Sequence, residues 1–183
     1  MKVVFLDIDG VVATNRSLYK ELSNYFGIPV KELNMLGPTE MCERTGLKYP
    51  RVSMYQWPFD SIAIDNIYRL HQITKCQFVL SSSWRVGRTV KEAHDILSMK
   101  GLKVPILSKT QYLDTRGQEI KDWIENIFPK QFPDEEIESY AIIDDECYYD
   151  IIQLHPDNCV QTTQHSGFSA RHLKETIKIL LNL

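Results

Sequence analysis

Two aspartates, Asp7 and Asp9, stand two positions apart at the end of a short apolar run, in Phe5-Leu6-Asp7-Ile8-Asp9-Gly10. A second apolar run ends in Ser81-Ser82-Ser83-Trp84-Arg85, and a third ends in Asp144-Asp145. A lone aspartate after a strand is ordinarily a turn former or a helix cap, and Asp-Gly is a common turn signal. That reading does not explain acids at two strand ends together with hydroxyls at another. In an open parallel sheet these ends face one crevice, where ligands bind. Four carboxylates sharing it repel strongly unless a cation sits among them. Hard oxygen ligands, few in number and leaving room for water, suit Mg²⁺ better than zinc, and no Cys/His cluster competes for the role.

The elements that must position these residues follow from the pattern around them. Short apolar runs alternate with helical patterns, which predicts an α/β fold, a Rossmann-like three-layer sandwich with a mainly parallel sheet. Strands are expected at 2–6, 76–80, 102–107 and 140–143, with a weaker one at 160–162. Helices are expected over 17–26 and over 59–73, the latter capped by Asp60 or Ser61. The capping box Thr89-Val90-Lys91-Glu92 opens another, which Gly101 ends. A helix over 117–128 is closed by Pro129, and Ser169 caps the last one. Residues 27–58 hold three of the eight glycines and four of the eight prolines, so they read as a small cap-like insertion in a single domain covering 1–183.

The 183 residues are 43% hydrophobic and 25% charged, an ordinary globular mixture that excludes disorder and fibres. A formal net charge of −3 argues against wholesale electrostatic binding of nucleic acid, leaving room for a local basic patch. No apolar run approaches the roughly 20 residues of a membrane span. The start of the chain does not resemble a signal peptide, and the cysteines at 42, 76, 147 and 159 show no pairing pattern. A cytoplasmic protein with reduced thiols and no obligate protein partner is the expectation.

Asp7-Ile8-Asp9-Gly10-Val11-Val12 resembles the DxDG(T/V) first motif of the haloacid dehalogenase-like (HAD) phosphatases. Phe78-Val79-Leu80-Ser81 resembles their second motif, and Ile142-Ile143-Asp144-Asp145 their acidic fourth. Ser81-Ser82-Ser83-Trp84-Arg85, and Arg116-Gly117-Gln118-Glu119-Ile120 with Trp123, resemble the branch found in RNA-repair contexts, related to the phosphatase half of polynucleotide kinase-phosphatases. The resemblance implies a Mg²⁺-dependent phosphatase working through an aspartyl-phosphate. Asp7 would attack phosphorus, and Asp9 would protonate the leaving group and then activate water. The metal would lie against Asp7, the Asp9 backbone carbonyl and Asp145, with Asp144 behind it or the two exchanged. Ser81 and Ser82 would hold phosphoryl oxygens.

The third-motif cation is the least defined. Arg116 fits best, Lys109 competes from the end of the 102–107 strand, and Lys121 is more distant. Trp84 and Arg85 admit two readings, base stacking with phosphate contact or local packing. Arg44, Lys48, Tyr49, Arg51, Tyr55 and Trp57 interleave charge and aromatic faces inside the insertion, where they would hold substrate or form a small mixed surface. The expected substrate is a phosphorylated small molecule or a nucleic-acid end. The alternative is a phosphate- or partner-binding module without catalysis, which has no need of a second acid at position 9.

Overall fold

A computed structural model describes residues 1–36, 38–46, 57–148 and 150–183. Five strands, β1 (Lys2–Leu6), β2 (Gln77–Leu80), β3 (Ile106–Lys109), β4 (Ser139–Asp144) and β5 (Cys159–Gln161), form one parallel sheet in the order β3-β2-β1-β4-β5. The chain builds outward from β1 to β3, then returns to lay β4 on the other flank of β1. That reversal puts a topological switch point between β1 and β4, the place where open α/β sheets bind ligands.

Period-two alternation in β1 supplies both faces of the core. Val4 and Leu6, with Phe78, Leu80, Ala141 and Ile143, pack under helices α4 (Ser61–Thr74), α5 (Val90–Met99) and α9 (Ala170–Leu181). Val3 and Phe5, with Val79 and Ile142, pack under α6 (Arg116–Asp122), α7 (Phe128–Gln131) and α8 (Asp150–Leu154). The Trp123 ring meets Phe5 edge-on at 5.3 Å. Before α4 come α1 (Asn15–Phe26), α2 (Val30–Leu33) and α3 (Pro38–Thr45). None of the helices among the described residues is long and apolar enough to cross a membrane.

The caps are where the residue types place them. Asp60 accepts from the amides of Ile62 (2.9 Å) and Ala63 (3.3 Å), so it opens α4. Thr89 and Glu92 close the expected capping box. α1 starts earlier than expected, because Thr14 caps it and Ser17, rather than a glutamate, completes the box. Two expectations are corrected. β3 begins after Pro105 rather than at Leu102, since proline has no N–H for the ladder; Leu102 and Val104 lead into it as buried coil. The helix after Arg116 runs through Pro129. A π-helical turn at Trp123–Ile127 ends the first ladder, and Pro129 then falls in the first turn of α7, where its amide is not needed.

Candidate active site

Parallel pairing carries the chemistry-bearing residues to one edge of the sheet. The Asp7 amide donates to the Ile143 carbonyl (3.0 Å), and the Ser81 amide to the Leu6 carbonyl (3.0 Å). Asp7, Ser81 and Asp144 therefore stand side by side at the ends of β1, β2 and β4. Beyond Asp7 the chain coils tightly, with the Ile8 carbonyl accepting from the amides of Val11, Val12 and Ala13. Gly10 makes this turn at φ +66°, and a Cβ there would lie 2.2 Å from Asp145 Cγ. The Asp145 carboxyl is thus seated against bare glycine backbone. Thr162, whose hydroxyl donates to the Gly10 carbonyl (2.8 Å), ties the same turn to the end of β5.

Asp7, Asp144 and Asp145 each present an oxygen within 4.8 Å of the others. Burial, then the charge of Asp7, pushes the Asp144 carboxyl well above the ordinary carboxylate range. The same two causes raise Asp145 to about 6, against a hydrogen bond from Gln164. Such a cluster favours a proton or a cation. Its donors are all hard carboxylate oxygens, and this set fits Mg²⁺. The Asp9 carboxyl is not in the group. It turns aside to the Trp84 indole N–H, at 3.2 and 3.0 Å from its two oxygens. Burial, and then Asp7, raises its pKa as well, while Trp84, Arg116 and Ser83 oppose the rise.

Arg116, the first residue of α6, reaches Asp7 (3.2 Å) and Asp144 (3.3 Å) with one nitrogen. Behind it, Glu119 lies 3.4 Å from Arg116 Nε and 2.6 Å from Arg85 Nη2. This is a buried row of alternating charges whose last cation faces the crevice. Neither competitor for the cationic role lies there. Lys109 donates to the carbonyls of Arg85 and Arg88, and Lys121 pairs with Glu125 at 3.9 Å. The fully buried Ser81 hydroxyl has no protein partner, whereas Ser82 spends its own on the Trp84 amide and caps the turn at Ser83–Arg85.

Several expected substrate contacts are engaged elsewhere. Arg85 is 3% exposed and donates to the carbonyls of Ser81, Ser82, Thr110 and Gln111, so it braces two loops rather than meeting phosphate. Trp84, also 3% exposed, offers no face for a base to stack on. Trp57 donates to the Thr14 carbonyl (3.2 Å), and Arg44 pairs with Glu32. Lys48, Tyr49, Arg51 and Tyr55 lie outside the described residues. The sequence assigns no site role to Glu119, Thr162 or Gln164, which the structure places around the acids. Only Glu119 carried a signal, three residues after Arg116 on one helix face.

Among curated proteins, none matches the sequence. Two solved structures are similar to the chain. A predicted phosphatase from Clostridium acetobutylicum has 18% identity and a TM-score of 0.48, over 96% of this chain and 89% of that one. A haloacid dehalogenase-like hydrolase from Streptococcus pneumoniae has 12% identity and a TM-score of 0.45, over 96% and 90%. The family model for the HAD domain in Swiss Army Knife RNA repair proteins matches residues 3–173, nearly the whole chain. With the motifs in order along the sheet edge, the chain belongs to that family of HAD domains.

Proposed function

We propose that the protein hydrolyses a phosphomonoester through an aspartyl-phosphate on Asp7. The carrying observation is that Arg116 joins Asp7 to Asp144 from one side while Asp145 completes an oxygen cluster beside them. The Asp7 carboxylate attacks phosphorus as the bond to the leaving oxygen breaks, and Asp9 donates the proton that oxygen takes up. Asp9, now a carboxylate, then takes a proton from water, whose oxygen attacks phosphorus and returns Asp7. Arg116 holds phosphoryl oxygens with its fork, and the partnerless Ser81 hydroxyl donates to another. Asp7, Asp144 and Asp145 would hold Mg²⁺, which when bound offsets the charge between nucleophile and phosphoryl group.

The family description supports a nucleic-acid end as substrate, with small phosphorylated metabolites as the competing class. A phosphate-release screen with Mg²⁺ tests this, covering nucleotides, sugar phosphates, phosphopeptides and oligonucleotides phosphorylated at either end. Turnover confined to oligonucleotides, weakening steeply with salt, is expected, because phosphate contacts release counterions. Turnover confined to small metabolites would replace that substrate class, and full activity after exhaustive chelation would remove the metal.

A further inference from the structure

We propose that Trp84 is the positioning residue for the proton donor, its indole N–H fixing the Asp9 carboxyl on the leaving-group side of the crevice. The inference rests on the reading of Asp9 as general acid.

A buried indole N–H needs an acceptor, so Asp9 could be present merely to satisfy Trp84. The way the ring is held argues for the opposite dependence. Its backbone lies in a turn locked from below, with Arg85 Nη1 donating to the carbonyls of Ser81 (3.0 Å) and Ser82 (2.6 Å). The Trp84 amide is capped by Ser82, and its carbonyl accepts from Arg88 (3.1 Å). The ring itself packs on Phe59 at 5.4 Å, and the Lys100 ammonium lies 5.8 Å from its centre. Lys100 is in turn anchored on the Trp57 carbonyl at 2.7 Å. All these contacts place the indole without help from Asp9. The movable partner is the carboxyl, on a side chain with two rotatable bonds, and both its oxygens lie within hydrogen-bond distance of the one N–H.

The consequence is a division of labour among four acids crowded at one sheet edge. Asp7, Asp144 and Asp145 converge, while Asp9 is drawn away from them. A carboxyl that joined the cluster would be committed to a cation and could not carry a proton to the leaving oxygen. Trp84 prevents that collapse.

The test is Trp84→Phe, which keeps an aromatic ring and removes the N–H, measured as kcat/KM on p-nitrophenyl phosphate and on a simple alkyl phosphate. This quantity reports the steps up to phosphoryl transfer, so the later use of Asp9 as base does not enter. A nitrophenolate leaves without a proton, and an alkoxide does not. The alkyl ester, which needs the proton, should lose about 10-fold or more when the hydrogen bond is removed, while the nitrophenyl ester loses less than about threefold. Phe59→Leu, which loosens the ring's packing but leaves the N–H, should keep the ratio of the two substrates at its parent value. If Trp84→Phe fails to fold, benzothienylalanine at position 84 keeps the bicyclic shape, lacks the N–H and carries the same expectation. Equal losses on both esters, in whichever replacement folds, would overturn the proposal. Asp9→Asn separates the two levels. If it too shows no preference between the esters, Asp9 is not the acid and the reading above fails. If it discriminates and the Trp84 replacement does not, only the positioning role fails.

Discussion

Gly10→Ala probes the way the turn after β1 seats Asp145, and Gly27→Ala calibrates it. Both glycines have positive φ, +66° and +69°, where an alanine is strained by about 1–2 kcal/mol. At Gly27, which ends α1, nothing lies within 4 Å of the added Cβ. Strain alone therefore applies, and at about 2–4 °C per kcal/mol the melting temperature should fall by roughly 2–8 °C. At Gly10 the same Cβ would lie 2.2 Å from Asp145 Cγ and 2.4 Å from its Oδ2, closer than real Cβ contacts come. The carboxyl or the turn must move by an ångström or more, and that carboxyl belongs to the oxygen cluster. Gly10→Ala should thus lose at least as much stability, and the Mg²⁺ concentration for half-maximal activity should rise by about 10-fold or more, the 1.4 kcal/mol equivalent of one misplaced ligand. Gly27→Ala should leave that concentration unchanged. Thermal melts and Mg²⁺ titrations of phosphate release read both quantities. Indistinguishable Mg²⁺ dependence in the two variants would refute the assignment of Asp145 to the cluster.

Breaking the buried row behind Arg116 should be costly one residue at a time and cheaper in pairs. Glu119→Gln alone should destabilise by about 3–5 kcal/mol, because it leaves the buried Arg85 without a counter-charge; Arg85→Met should cost less, since Glu119 keeps Arg116 at 3.4 Å, and the double variant should lose less than the sum in a denaturation cycle. Asp60 is opposed by burial, but Arg16 at 2.6 Å, the Ala63 amide and Thr14 hold its carboxyl below the ordinary value. A depressed folded pKa adds stability above the unfolded pKa of 3.8 that is lost as pH falls through the folded value. Asp60→Ala should therefore cost about 2 kcal/mol at pH 7, and the deficit should shrink on acidification to pH 3. Melts of the two proteins across that range should converge, and a constant gap would mean that capping geometry, not charge, stabilises this end of α4.

The sheet and the acid positions were legible because period and punctuation agree there. Four-to-six-residue apolar runs ending in Asp or Ser carry strand, boundary and chemistry in the same few letters. The sequence places β3 four residues early because Leu102 and Val104 are as buried as strand residues, and only the missing amide of Pro105 separates coil from ladder. Pro129 misled in the other direction, since a π-turn upstream of it has no recognisable signature. In the site, strand ends alone group Asp7, Asp9, Asp144 and Asp145, but they do not show that the Asp9 carboxyl leaves the group for Trp84. The partners of Trp84 and Arg85 could not, because their hydrogen bonds reach 75 and 25 residues along the chain. From sequence both side chains admit nucleic-acid contact or local packing, and the structure encloses them.

Every step proposed for the crevice depends on Asp7 being the nucleophile. Acid-quenched single turnover of a phosphomonoester with Mg²⁺, followed by borohydride trapping and peptide mass spectrometry, addresses it directly. The expected result is a phosphoryl adduct on the peptide carrying Asp7, reduced by borohydride at that residue, and neither adduct nor turnover in Asp7→Asn. An adduct on another residue, or an Asp7→Asn variant turning over within about twofold of the parent, under 0.5 kcal/mol in barrier, would contradict it.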